Sequence, residues 1–247
     1  MNKDRIYANG DSAGEPFRFD DAVAAVFPDM LRRSIPGYAA TLEAVGSLAA
    51  RYVTTGTRCY DLGCSLGAAT LALRQGIRVP DCRIVAVDNA PAMIDRCVEL
   101  IAADDAAGPG RTAVDVELGD IRELAIVNAS MVVMNYTLQF VPLEDREPLL
   151  RRIHAGLTPG GLLLLSEKVV DEDPRMEALL VELHLEHKRR NAYSELEISR
   201  KRAALENVLV PETVAAHRRR LAQAGFAHTA VWLRYFNFVS IVATRAA

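Results

Sequence analysis

Apolar residues recur at helical spacing over the first part of the chain, from Phe17 to Val53. Pro36 and Gly37 oppose helix continuation and interrupt this pattern. We therefore predict N-terminal helices over about residues 17–53, with the second helix running from about Tyr38 to Tyr52. The first 15 or so residues are predicted to form a loose tail. Their polar start lacks the apolar core of a signal peptide.

From Arg58 onward, short apolar runs alternate with segments of helical pattern. The runs predict five strands, at Cys59–Leu62, Arg83–Val87, Val114–Leu118, Ser130–Met134 and Leu162–Leu165. The segments between them predict three helices, from Ala68 to about Gly76, Pro91–Ala103 and Leu143–Leu157, with a turn-rich loop at Asp104–Gly110. Near-continuous apolar strands separated by helices are typical of a parallel sheet covered on both faces. The pattern therefore predicts an α/β fold with a mostly parallel sheet.

The alternation stops after Glu167. The segment Met176–Leu209 is charged and helical, with a predicted break around residues 191–193, and Val214–Gln223 is a further helix. The apolar, β-rich stretch Thr229–Thr244 predicts an antiparallel hairpin that completes a mostly parallel sheet. We predict one domain over residues 1–247, with a helical insertion over about residues 176–209.

Charge and composition narrow the class of protein. The 247 residues carry 29 Lys and Arg against 32 Asp and Glu, a formal net charge of -3, which disfavours direct nucleic-acid binding. The longest apolar runs are too short for a membrane span. Four cysteines and five histidines show no metal-ligand spacing, so we expect no metal site, buried thiols in a reducing cytoplasm, and histidines in packing or surface roles.

The candidate chemistry is concentrated where predicted strands end. Tyr60–Gly67 (YDLGCSLG) places a tight glycine turn between the first strand and its helix, which brings backbone N–H groups close to a ligand. Asp88 ends the second strand, where a carboxylate can accept both hydroxyls of a ribose. Asp120 follows the third strand and Asn135 the fourth. Because the carboxyl ends of parallel strands meet at one edge, these residues predict a nucleoside-binding cleft.

The pattern resembles class I S-adenosylmethionine-dependent methyltransferases. Residues 61–67 match their D-L-G-x-x-x-G motif, with Ser65 in place of a common glycine, and Leu157–Gly161 (LTPGG) before an apolar strand matches a second recurrent feature. The resemblance implies an α/β, Rossmann-like class I fold whose sheet ends in an antiparallel hairpin.

One competing motif lies in the same turn. Residues 63–67 read G-x-S-x-G, the nucleophile elbow of α/β-hydrolases, with His217 or His228 as the late histidine. This reading places the elbow after the very first strand and gives no joint purpose to the polar residues that follow the other strands, so it is disfavoured.

Longer segments resemble the carboxy-S-adenosylmethionine synthase family. They are FPDM at 27–30, SIPGY at 34–38, YDLGCSLGAAT at 60–70, DN at 88–89, PAMI at 91–94, GDIR at 119–122, Asn135, TLQF at 137–140, YSELEIS at 193–199, KR at 201–202, LEN at 205–207 and FNF at 236–238. The YSELEIS block is more specific than the glycine turn.

The resemblance implies an unusual reaction. S-adenosylmethionine and prephenate become carboxy-S-adenosylmethionine and phenylpyruvate: prephenate loses carbon dioxide as its ring aromatises, the sulfonium methyl group loses a proton, and its carbon captures the carbon dioxide. The product is a carboxymethyl donor for a partner enzyme that modifies the wobble uridine of certain tRNAs. The family also implies a homodimer, in which Arg202 could serve a neighbouring subunit's cleft, and no direct contact with tRNA.

The resemblance also implies roles for individual residues. The expected contacts of S-adenosylmethionine are Tyr38, Gly63, Cys64, Ser65, Asp88, Asn89, Asp120, Ile121 and Asn135. Asp120 would accept from the adenine amino group while Ile121 packs on the ring. Arg202 matches the family arginine that meets the transferred carboxylate, and a guanidinium suits this task because it stays charged and can donate two parallel hydrogen bonds.

Two basic stretches, Lys188–Arg190 and Arg200–Arg202, allow two interpretations. Each is either an ordinary solvated helix face or part of an arginine-rich wall for the two carboxylates of prephenate. Two other functions also remain open. One is ordinary methyl transfer to a small molecule or tRNA, and the other is a noncatalytic S-adenosylmethionine-binding partner of a tRNA-modifying enzyme.

Overall fold

The N-terminal part of the computed structural model is helical, and the model describes residues 3–8, 16–108 and 111–247. Helix α1 spans Asp21–Ser34 and α2 spans Tyr38–Tyr52. The turn between them follows the predicted interruption, and Gly37 adopts a left-handed φ of 78° there. Residues 3–8 differ from the predicted loose tail, because Asp4 is buried and its backbone N–H donates to Asp29 at 2.9 Å. Residues 9–15 lie outside the described part.

The central sheet is built as the apolar pattern predicts. Its first four strands and the helices between them are β1 (Arg58–Leu62), α3 (Ala68–Gly76), β2 (Arg83–Asp88), α4 (Pro91–Ala106), β3 (Ala113–Leu118) and β4 (Ala129–Asn135). Helix α4 extends three residues past the predicted Ala103, into the predicted loop at Asp104–Gly110, of which residues 109 and 110 lie outside the described part. A short 3₁₀ turn at Leu138–Phe140 leads to α5 (Leu143–Gly156).

The second half completes the sheet. It comprises β5 (Leu157–Val170), α6 (Pro174–Arg190), α7 (Glu195–Leu205), β6 (Glu212–Thr213), α8 (Val214–Gln223), β7 (His228–Tyr235) and β8 (Phe238–Thr244). Strand β5 is longer than the predicted Leu162–Leu165, because β8 pairs with it as far as Lys168↔Phe238. The predicted hairpin is present as β7 and β8. The predicted break in the insertion lies between α6 and α7, where Ala192 has a φ of 62°.

The strand order β3-β2-β1-β4-β5-β8-β7 places β1 and β4 side by side at the centre. β1 to β5 run parallel, while β8 and β7 are antiparallel. Fully buried leucines of α5 and α8 cover one face, and residues of α2 and α3 cover the other, so the sheet is sandwiched as predicted. Across the described ranges, no helix has both the length and the apolar character that crossing a membrane requires.

Candidate active site

A cavity of about 720 Å³ lies at the carboxyl ends of the parallel strands. Its volume is within the range of roughly 300–1,000 Å³ in which proteins enclose small ligands. The glycine turn and the ends of β2 and β4 form its floor, while α1, α6 and α7 close it from above. This is the position at which open α/β sheets bind ligands, as the strand-end pattern predicts.

The glycine turn is held tightly on the cavity floor. Gly63 has a φ of 81°, and a Cβ atom there would overlap the side chain of Thr137. The backbone N–H of Gly63 donates to the Val87 carbonyl at 2.8 Å, and that of Ser65 donates to Oδ2 of Asp88 at 2.9 Å. The sequence-predicted residues Gly63, Cys64 and Ser65 all line the cavity.

Asp88 joins this turn to the start of α4. Its Oδ1 accepts a hydrogen bond from the Ala90 backbone N–H at 3.0 Å, while its Oδ2 accepts one from the Ser65 backbone N–H. Burial raises the pKa of Asp88, and the backbone N–H groups around it act in the opposite direction. Asp88 and the neighbouring Asn89 both line the cavity, so the carboxylate fixes the turn and is available to ribose hydroxyls.

Two acceptor oxygens on the floor have no partner among the described residues. Asp61 Oδ1 and Asn135 Oδ1 are both buried and unbonded, although Asp61 Oδ2 accepts the Thr70 hydroxyl at 2.6 Å. Both residues line the cavity. Burial raises the pKa of Asp61 to about 6. Unsatisfied buried acceptors are costly, so this pair favours a ligand that carries hydrogen-bond donors.

Asp120 and Ile121 form the far end of the floor, after β3. Arg122 donates to Asp120 through its side chain at 2.6 Å and through its backbone N–H at 2.8 Å, and this contact lowers the pKa of Asp120. The carboxylate therefore stays charged and fixed. Ile121, only 8% exposed, offers an apolar surface beside it. An acceptor next to an apolar surface suits a flat, amino-bearing ring.

Tyr38 and Cys64 line the cavity as uncharged groups. Burial raises the pKa of the Tyr38 hydroxyl. Contact with Cys97, together with burial, raises the pKa of the Cys64 thiol. Neither His217 nor His228 lines the cavity, so neither supplies the partner that the hydrolase interpretation of Ser65 requires.

The roof of the cavity is basic, and its two helices α6 and α7 contribute lysines. Lys188 on α6 and Lys201 on α7 line it with Lys168 of β5, whereas the half-buried Arg189 and the exposed Arg190 do not line it and pair with glutamates on the surface. Each basic stretch therefore contributes one lysine to the cavity wall, while its arginines are not among the lining residues. An arginine-rich wall for prephenate stays a prediction.

Arg202 is exposed on α7 and is not among the residues that line the cavity. Its positive charge nevertheless contributes to lowering the pKa values of Lys168 and Lys188.

His184 also lines the cavity, which its predicted packing role does not include. Its Nε2 lies 2.9 Å from the Ser34 carbonyl oxygen, and its ring packs edge-to-face on Phe238 with centroids 4.9 Å apart. Burial lowers the pKa of His184 to about 3, so the ring is neutral. His184 therefore combines packing with a place in the cavity wall.

The YSELEIS block anchors the roof. Tyr193 donates to Asp4 and stacks under the guanidinium of Arg33, which lies 3.8 Å from its ring centroid. Ser194 and Glu197 form a capping box that starts α7. This block therefore determines where Lys201 and Arg202 are placed, although it does not itself line the cavity.

Several cavity residues are not among the individually predicted contacts: Asp61, Lys168, His184, Lys188 and Lys201, the last two of which belong to the two basic stretches. Lys168 could have been found, because it follows the apolar run of the fifth strand just as Asp88 and Asn135 follow theirs. Lys188 and Lys201 could not, because nothing in a charged helical sequence shows which of its cations faces inward.

Comparison with known proteins identifies the family. Residues 60–161 match a family described as "Methyltransferase domain". The chain is 54% identical over 229 residues to carboxy-S-adenosyl-L-methionine synthase of Trichlorobacter lovleyi, covering 93% of each chain. It is 51% identical to the enzyme of the same name from Shewanella sp. (strain MR-7), covering 99% of each.

A solved O-methyltransferase family protein from Burkholderia thailandensis shares the fold, with a TM-score of 0.65 at 15% identity, over 92% of this chain and 59% of that longer one. The predicted Rossmann-like class I fold is thus confirmed, as is the prediction of an enzyme that uses S-adenosyl-L-methionine. On the identity and coverage of these relatives, the chain belongs to the carboxy-S-adenosyl-L-methionine synthase family.

Proposed function

We propose that this enzyme converts S-adenosyl-L-methionine and prephenate to carboxy-S-adenosyl-L-methionine and phenylpyruvate. The observation that carries the proposal is a cavity with acceptors on its floor and lysines in its roof, in a chain of this family. The floor suits a substrate with an amino group and ribose hydroxyls. The roof suits a substrate with carboxylates.

S-adenosyl-L-methionine would lie along the floor. Its ammonium group matches the unpartnered oxygens of Asp61 and Asn135. Asp88 would accept the ribose hydroxyls, and Asp120 and Ile121 would receive the adenine. Gly63, Cys64, Ser65, Asn89 and Tyr38 would complete the contacts, as the family resemblance implies.

The proposed reaction balances without a further reagent. The bond between the prephenate ring and its carboxylate breaks, and its electron pair completes the aromatic ring as the ring hydroxyl leaves as hydroxide. That hydroxide balances the proton lost from the sulfonium methyl group, and the methyl carbon forms a bond to the released carbon dioxide. Apolar side chains of the cavity, including Phe19, Phe27 and Leu31, would help to exclude water and retain the carbon dioxide.

Arg202 would bind the transferred carboxylate, in its own or a neighbouring subunit's cleft. Its positive charge, which acts on the cavity residues Lys168 and Lys188, supports this role. We expect Arg202→Ala to abolish carboxylation and to leave S-adenosyl-L-methionine binding intact, because the adenosine and methionine portions do not need the guanidinium. Arg190→Ala, which removes an exposed arginine of α6, is the control. Equal carboxylation by Arg202→Ala and the control would refute the role.

Mass spectrometry of the purified protein, with and without added prephenate, tests the proposal. We expect a cofactor product heavier by one carbon dioxide unit, together with phenylpyruvate. Formation of S-adenosylhomocysteine with an added acceptor, and no carboxylated product, would instead indicate ordinary methyl transfer. Binding of S-adenosyl-L-methionine without turnover would indicate a noncatalytic partner.

We also propose that the enzyme is a cytoplasmic homodimer. A tRNA carboxymethyltransferase would use its product, and this chain would not contact tRNA directly. Exposed apolar side chains on the insertion, Met176, Leu179 and Leu196, support a subunit interface. Four buried free thiols are compatible with a reducing compartment. Light scattering tests the dimer, and a monomer at micromolar concentration would refute it.

A further inference from the structure

One buried and one half-buried lysine in the roof have no anionic partner among the described residues. Lys188, in the last turn of α6, is 8% exposed, and Lys168 is half-buried near the carboxyl end of β5. Both line the cavity. In the described ranges 3–8, 16–108 and 111–247, neither side-chain ammonium has an ion pair or a hydrogen bond, so the cavity itself is where a partner can bind.

Lys201, in the same roof, differs from these two lysines because its ammonium group has protein partners. Its ammonium lies 3.0 Å from the Ser34 hydroxyl and 3.7 Å from a carboxylate oxygen of Asp4. It also sits 5.4 Å from the centroid of the Tyr193 ring. Lys201 therefore has a structural role, in tying α7 to the N-terminal segment, that Lys168 and Lys188 do not share.

The charges around Lys168 and Lys188 make an anionic ligand favourable. Burial, together with the positive charges of Lys201, Lys168 and Arg202, lowers the pKa of Lys188 to about 7. Lys168 faces Arg202 and one acidic group, Glu177, which is already bonded to the Asp171 backbone at 2.7 Å. Clustered positive charge in a buried site is costly unless an anion compensates it.

We propose that Lys168 and Lys188 bind the pyruvyl carboxylate of prephenate, the carboxylate that remains on the product; this rests on the proposed function. The ring carboxylate leaves as neutral carbon dioxide, so cations paired with it would stabilise the substrate more than the transition state. The pyruvyl carboxylate stays charged throughout, and cations bound to it hold the substrate without opposing the reaction. The two lysines are therefore binding and positioning residues for the second substrate.

Neutral substitutions of similar length test this assignment. We expect Lys188→Met and Lys168→Met each to raise the KM for prephenate roughly tenfold or more, the effect of losing a hydrogen bond to a charged group. The Kd for S-adenosyl-L-methionine should stay within about twofold. Arg190→Met, an exposed cation on the same helix, is the matched control and should leave both constants unchanged. Lys188→Arg keeps the charge and should restore most of the affinity if Lys188→Met folds poorly.

Phenylpyruvate separates the two carboxylates, because it carries only the pyruvyl one. We expect it to inhibit competitively against prephenate, with a Ki that rises in the Met variants by the same factor as KM. An unchanged KM, or a raised KM with an unchanged Ki, would overturn the assignment. A wild-type protein that forms no carboxylated product would refute the proposed function instead, so the two failures are distinguishable.

Discussion

The variant Asp88→Asn tests how one carboxylate both shapes the turn and binds the ligand. Asp88 is 9% exposed, and each of its oxygens accepts a backbone N–H, from Ser65 at 2.9 Å and from Ala90 at 3.0 Å. Asn offers one oxygen and one NH₂, so one of these N–H groups loses its acceptor. A buried N–H without a partner costs about 1–3 kcal/mol, and we expect the free energy of unfolding to fall by this amount.

Ligand affinity should fall as well. Hydrogen bonds from ribose hydroxyls to a charged acceptor contribute about 1.5–3 kcal/mol, so the Kd for S-adenosyl-L-methionine should rise roughly 10- to 150-fold. Calorimetric titration and urea unfolding measure the two effects separately. Asp95→Asn makes the same charge change at an exposed position of α4 and should alter neither. If Asp88→Asn binds as tightly as Asp95→Asn, the ribose assignment is wrong.

Two further substitutions test the turn and the packing of α8. Gly63→Ala should abolish S-adenosyl-L-methionine binding in the same titration, because the added Cβ overlaps the Thr137 side chain. Gly56→Ala is the control, since Gly56 has a similar φ of 75° but no atom within 4 Å of the added Cβ. Equal binding by the two variants would refute the steric reasoning. Burial lowers the pKa of His217 from 6.5 to about 4, so the folded state binds a proton less readily than the unfolded chain. The free energy of unfolding should therefore decrease by up to about 3 kcal/mol as the pH falls from about 6.5 to 4. In His217→Leu this pH dependence should be smaller in urea unfolding, and an unchanged slope would exclude His217 as its source.

Local patterns were enough to predict the sheet and the floor of the cavity. The strand that ends at Asp88 and the strand that ends at Asn135 are both apolar runs with a polar residue at the end, and parallel pairing brings such ends together. The glycine turn is equally local, because Gly63 adopts its positive φ between adjacent elements.

The roof depends on contacts between distant parts of the chain. Lys201 is buried because Asp4 and Ser34 pack against it. Both partners are distant in the sequence, so the residues of α7 alone do not predict this burial. The same limit applies to β5, whose extension to Val170 follows from pairing with β8 and with β6. From sequence alone, a polar helix is expected to lie at the protein surface, whereas the buried side of α7 encloses the cavity.

The origin of the added carboxyl group is the most direct test of the central claim. Prephenate labelled isotopically at its ring carboxylate is incubated with the protein and S-adenosyl-L-methionine, and the products are identified by mass spectrometry. The proposed reaction predicts carboxy-S-adenosyl-L-methionine that carries the label, with unlabelled phenylpyruvate. Carboxylated product without the label, or labelled prephenate left unconsumed while S-adenosyl-L-methionine is bound, would contradict it.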